Sequence, residues 1–182
     1  MADREALRDF QRRLAGRLQA APAEGVKASW LAVRAGRGRF LVPLAQAGEI
    51  FPEAVVHPVP YTQPWFLGVA SLRGALHGVV DLARLPMTRG APVPGPLAEV
   101  AQAQGAEPQW VTFSPALEVQ CALRVDQLAG LRGSEAFTAL GAPPQGVPDG
   151  LGGTLQDADG AQWQVLDLLR LSQQPHFLRI GA

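Results

Sequence analysis

Gly74-Ala75-Leu76-His77-Gly78-Val79-Val80-Asp81-Leu82-Ala83-Arg84-Leu85 returns later in the chain as Gly160-Ala161-Gln162-Trp163-Gln164-Val165-Leu166-Asp167-Leu168-Leu169-Arg170-Leu171, with seven of twelve positions identical at a constant offset of 86. Each copy opens at a turn, Arg73-Gly74 or Asp159-Gly160, where glycine supplies the backbone angles of a tight hairpin. Each continues as a strand and leaves through an aspartate into a Leu-x-x-Leu stretch with helical spacing, so Asp81 and Asp167 read as N-caps. A strand, a turn and a short closing helix repeated in this way predict two similar β-modules.

Outward from the repeat, short β-type runs cover Trp30 to Arg34 and Arg39 to Leu44, separated by Gly36-Arg37-Gly38. Others are Val55-Val56-His57, Phe66 to Leu72, Ala75 to Val80, Trp110 to Phe113, Leu117 to Val125 and Gln162 to Val165. Many short strands divided by Gly and Pro predict a mainly β protein built as closed barrels or a sandwich. Ahead of them Leu7, Phe10, Leu14 and Leu18 are three and four residues apart, on one face of an amphipathic helix that ends before Pro22. Residues 1–27 are therefore read as a helical extension, docked on the body or held out for a partner, and 28–182 as the β domain. Five prolines from Pro86 to Pro108, mixed with Ala, Gly and Gln, mark an exposed loop connecting two β-subdomains. Gly141 to Gly153 reads as a second such connection.

Composition narrows the function. At 47% hydrophobic and 18% charged residues the chain should fold, and sixteen basic against sixteen acidic side chains leave no basic excess for nucleic acid or an anionic membrane. The single cysteine, Cys121, can form no internal disulfide and cannot alone hold zinc, which makes the cytoplasm the natural compartment. No apolar run reaches bilayer-spanning length, so any membrane association is indirect.

Searches for chemistry end without a convergent set. Cys121 lies in an apolar strand where burial suppresses the thiolate. His57, His77 and His176 are scattered, without metal-ligand spacing. Gly36-x-Gly38 has Leu41 where a dinucleotide fingerprint needs its third glycine, and Gly150-Leu151-Gly152-Gly153-Thr154 lacks a phosphate-binding lysine. Ser71 sits between Val69 and Arg73, where a nucleophile elbow requires glycines. Asp157-Ala158-Asp159-Gly160 opens like a calcium loop but reaches Leu168 at the twelfth position, so it reads as a β-turn. The expectation is no enzyme, no cofactor and no metal.

Four segments then fall in a recognisable order: Ala47-Gly48-Glu49-Ile50; Pro60-Tyr61-Thr62-Gln63-Pro64-Trp65; Gly68-Val69-Ala70-Ser71-Leu72-Arg73-Gly74; and Val79-Val80-Asp81-Leu82. With Leu123-Arg124-Val125-Asp126-Gln127-Leu128 and Val165-Leu166-Asp167-Leu168 they resemble the CheW-like family of chemotaxis coupling proteins over roughly residues 28–172. Ser71 stands where the family has Asn, and His77-Gly78 where Val-Pro is common. Within the family the chain is most similar to the couplers of type IV pilus (twitching motility) chemosensory systems.

The resemblance implies two intertwined five-stranded SH3-like β-barrels. It implies a scaffold that binds the signalling tip of a methyl-accepting receptor and the regulatory domain of a CheA-type histidine kinase, recruited to membrane-associated arrays. Matching the motif places receptor contact at Gly68, Leu72, Arg73 and the adjoining Gly74, and less directly at Glu49 and Ile50. Apolar residues beside an arginine at a turn are typical interface chemistry. Each residue also admits a structural reading: a turn-stabilising ion pair for Arg73, core packing for Leu72 and Ile50, a bulge or close strand approach for Gly68. The competing function is a barrel that binds a small ligand or single-stranded nucleic acid, which needs exposed aromatics beside a basic groove.

Overall fold

Along residues 31–35 side chains alternate between two environments, as a strand dictates: Leu31, Val33 and Ala35 enter one hydrophobic cluster and Ala32 another. The same division recurs at Val111 and Phe113 against Trp110, and at Cys121, Leu123 and Val125 against Ala122. Strands buried on both faces build three cores: two barrel interiors and a larger one between the barrels.

The computed structural model describes residues 28–86, 107–141 and 150–182. The helix read over 1–27 and most of the proline-rich connection lie outside the described residues. In chain order the strands are β1 (Ala28–Ala35), β2 (Gly38–Pro43), β3 (Ala47–Pro52), β4 (Phe66–Leu72), β5 (Ala75–Asp81), β6 (Gln109–Phe113), β7 (Cys121–Val125), β8 (Gln127–Gly133), β9 (Phe137–Gly141), β10 (Leu151–Asp157) and β11 (Gln162–Leu166). Two short helices follow, α1 (Leu168–Ser172) and α2 (Pro175–Leu178).

Hydrogen bonding orders these strands as β8-β1-β2-β11-β10-β9 in one sheet and β3-β6-β7-β5-β4 in the other. Each half of the sequence starts with a hairpin in one sheet and sends its later strands to the other. The β4–β5 hairpin lies parallel to β7, and the β10–β11 hairpin lies parallel to β2. That correspondence is the repeat seen in the sequence, and the exchange of strands makes the two modules intertwined.

Both sheets are curled into barrels. Phe51, Ala70, Leu72, Val79, Trp110 and Ala122 draw on all five strands of the second sheet to fill one interior. Ala32, Leu41, Ala129, Phe137, Leu155 and Trp163 draw on all six strands of the first to fill the other. Between the barrels, Phe177 of α2 stacks on Trp65 and Phe113, with ring centroids 5.8 and 6.1 Å away and planes 7° apart in both cases. Offset stacking of buried rings adds to the area they remove from water.

The expected mainly β fold of two intertwined barrels is what the structure has, with a sixth strand in one sheet because β9 joins its edge. Finer expectations differ. β9 and β10 border the segment read as a connection; Gly152 and Gly153 weaken the β signal of β10, although Gly152 lets Val165 pack closely. Val55 to His57 makes only an isolated bridge, His57 to Val69. The run from Leu117 begins in a 3₁₀ turn and a positive φ of 56° at Glu118, so its strand starts at Cys121. Asp167 caps α1 by accepting from Arg170 N at 3.1 Å. Asp81 accepts from Ala83 N at 3.0 Å in a turn, not a helix; Pro86 disfavours helical angles at Leu85.

Candidate interaction surface

The β4–β5 hairpin closes at the Leu72–Ala75 pair with Arg73-Gly74 as its two-residue loop. Their φ angles of 48° and 83° are those of a type I′ turn. An arginine in left-handed backbone costs about 1 kcal/mol relative to glycine or asparagine there. Strain of this kind clusters at functional positions.

Arg73 Nη1 donates to Glu49 Oε1 at 2.9 Å and lies 2.9 Å from Oε2, while the guanidinium carbon stands 5.7 Å from the centre of the Phe51 ring. The two side chains are 74% and 52% exposed, so the pair contributes at most about 1 kcal/mol to stability. Its consequence is orientation: carboxylate and aromatic face bias the guanidinium toward the rim of the barrel.

Glu49 is itself positioned by a bulge. Ala47 pairs with Phe113 and Ile50 with Val111, leaving two residues of β3 opposite Thr112. The Thr112 hydroxyl accepts from Glu49 N at 2.8 Å and donates to Glu49 O at 3.1 Å, which satisfies the backbone the bulge unpairs. Gly48 is required because a Cβ there would sit 2.5 Å from that hydroxyl.

Glu49, Arg73 and Gly74 therefore come together at one rim. Ile50, 44% exposed, faces away on the outer side of β3, since alternation gives Glu49 and Phe51 the same face. Leu72 is 4% exposed and belongs to the barrel interior beneath the turn. Gly68 is buried within β4 at φ 136°, where a Cβ would overlap the His57 carbonyl, so it allows the segment at His57 to pair closely alongside the strand. Phe51, Thr112 and the exposed Leu76, opposite Ser71 on the hairpin, were not singled out in the sequence. The spacing of Phe51 two residues from Glu49 was the available signal.

A second charged group joins this barrel to the other. Arg124 pairs with Glu53 at 3.1 Å, Asp126 at 3.4 Å and Asp81 at 3.8 Å. Asp126 Oδ2 accepts from Gly36 N of the β1–β2 turn at 2.7 Å. Burial raises the Asp81 carboxyl above its ordinary range, opposed by Arg124, the Ala83 N–H and Arg84. Burial also pushes the Cys121 thiol up to about 12, leaving it protonated near neutral pH. Asp157 is engaged by its own turn: it accepts from Asp159 N, Ala161 N and the Trp163 indole.

A family model described as "CheW-like domain" matches residues 29–176. Comparison with curated proteins gives no match. Among solved structures, the crystal structure of the scaffolding protein TtCheW from Thermoanaerobacter tengcongensis aligns with a TM-score of 0.53 at 13% identity, covering 75% of this chain and 86% of that one. At that identity the likeness is one of fold.

Proposed function

The chain belongs to the CheW-like domain family, and from that membership we propose that it is a non-catalytic adaptor coupling methyl-accepting chemotaxis receptors to a CheA-type histidine kinase. The finer reading is a PilI-type coupler of a type IV pilus chemosensory system, working in the cytoplasm at membrane-associated arrays. The observation that carries the adaptor reading is the strained, exposed Arg73, held by Glu49 over Phe51 at the hairpin turn. An exposed arginine beside apolar neighbours is chemistry that protein interfaces favour.

In this reading the receptor tip docks at Glu49, Arg73 and Gly74, flanked by Leu76, while Leu72 and Gly68 hold the turn and strand from within and Ile50 stands on the outer side of β3. The kinase regulatory domain takes another surface. Coupling needs only that each partner contact two states of the scaffold differently. No described helix is long and apolar enough to cross a membrane. The ligand-binding alternative loses ground because Trp110 and Trp163 fill the barrel centres that a ligand would enter.

The test is a titration of the purified protein against a receptor signalling tip and a kinase regulatory domain from the same organism, comparing wild type with Arg73→Ala and Arg73→Glu. Receptor affinity should fall about tenfold or more in the charge reversal, equivalent to about 1.4 kcal/mol, with the melting curve preserved. Unchanged receptor affinity in Arg73→Glu, or no binding by wild type, would overturn the reading.

A further inference from the structure

The β1–β2 hairpin carries three arginines, Arg34, Arg37 and Arg39. Ala35 pairs with Gly38 around the loop Gly36-Arg37. Gly36 has φ 55° and Arg37 a negative φ, which makes a type II′ turn. One step down the hairpin, Arg34 stands directly opposite Arg39. Cross-strand partners leave the same face with Cβ atoms about 5 Å apart. Continued along the strands, that face becomes Ala32 and Leu41 of the barrel interior, so Arg34 and Arg39 stand at the barrel mouth.

All three arginines are exposed. Among the described residues none of them forms an ion pair. The carboxylate bonded to this hairpin, Asp126, accepts from Gly36 N at 2.7 Å and is paired with Arg124, while its own N–H donates to Arg34 O at 2.9 Å. It fixes the hairpin backbone without neutralising the guanidinium groups. Like charges directly opposite on a ladder destabilise it. An arrangement that works against the fold, on a backbone held rigid, points to something that neutralises it from outside.

We propose that the β1–β2 hairpin is a docking surface for an acidic segment of a protein partner, separate from the Arg73 rim on the other barrel. Guanidinium forks match carboxylates in paired, parallel hydrogen bonds, and three of them on a fixed hairpin lose little freedom on binding. Lipid-directed clusters carry about four to eight basic residues and DNA-binding faces make about six to ten phosphate contacts. Three arginines in a chain of formal net charge zero fit a short run of Asp or Glu better. The inference does not depend on the adaptor reading, since it would hold for any protein with this hairpin.

The experiment uses the full chain and a fluorescein-labelled peptide of eight glutamates, followed by anisotropy at low salt and again at about 0.3 M. Three variants each lower the net charge by two: Arg39→Glu, the double variant Arg34→Gln with Arg39→Gln, and Arg73→Glu. Wild type and Arg73→Glu should bind the peptide alike, and both hairpin variants about tenfold or more weakly. Added salt should weaken wild-type binding. The neutralised double variant should melt no lower than wild type, which keeps the comparison free of misfolding. No peptide binding, or equal binding in the hairpin variants, would overturn the proposal. So would tighter, Arg34- and Arg39-dependent binding of duplex DNA or phosphatidylserine vesicles.

Discussion

Gly68 and Gly74 both have positive φ, yet their surroundings differ, and so should the effects of replacing them. A Cβ at Gly74 meets nothing within 4 Å, so Gly74→Ala should cost only the backbone penalty of about 1 kcal/mol. At Gly68 the same carbon would overlap the His57 carbonyl, and Gly68→Ala should cost about 3 kcal/mol or more as the strand and the segment bridged to it separate. Urea denaturation of the two variants checks the contrast; equal losses would contradict it. Asp157 gives a pH-dependent case. The Trp163 indole first, then the N–H groups of Ala161 and Asp159 and the charge of Arg132, hold its pKa below the ordinary 3.8. Its contribution is thus present above 3.8 and lost as pH falls through the folded value. Thermal melts between about pH 5 and pH 2 should show wild type losing stability faster than Asp157→Asn on acidification, and parallel profiles would count against this role. At this scale Arg73 and Glu49 were legible as motif positions. Their mutual contact was not, because it joins residues 24 positions apart through a bulge that no local pattern announces.

Among the elements, α2 is short, but its Phe177 is 4% exposed and sandwiched between Trp65 and Phe113. The segment after α2 is pinned back on the chain before β4, with Gln63 N donating to Ile180 O at 2.7 Å and Ala182 N to Tyr61 O at 2.9 Å. Phe177→Ala should therefore destabilise the whole protein by about 3–5 kcal/mol, read by chemical denaturation. A loss below 1 kcal/mol would mean that the stack is dispensable. Gln46 illustrates what a sequence hides: it accepts from Leu168 N at 2.7 Å and donates to Asp167 Oδ1 at 3.0 Å, completing the N-terminus of α1 from 121 positions away. The β4–β5 hairpin and the turn that leads into β11 were legible because turn glycines and β-branched alternation are local signals. β8 and β10 were not, since glycines and polar residues dilute their pattern and their burial comes from neighbouring strands.

In the whole molecule the two sequence halves share both sheets, so neither half contains all the partners its strands need. Fragments 1–86 and 107–182 should each lack a cooperative unfolding transition alone and regain one when mixed, as followed by circular dichroism. Cooperative unfolding of either fragment by itself would contradict the interdigitated account. Duplication was readable from the offset of 86, whereas strand exchange was not, because a repeat does not say which copy pairs with which. The same exchange ties the rim at Arg73 to the other barrel: Glu53 follows β3, meets Arg124, and Arg124 meets Asp126, which holds the β1–β2 turn. A scaffold connected in this way can bias one partner through the other only if both are bound. The most direct measurement is co-sedimentation of the kinase with receptor-bearing membranes, with and without this protein. The account expects kinase in the pellet only when the protein is present, and its loss with Arg73→Glu. Kinase recruited equally without the protein would contradict the coupling role.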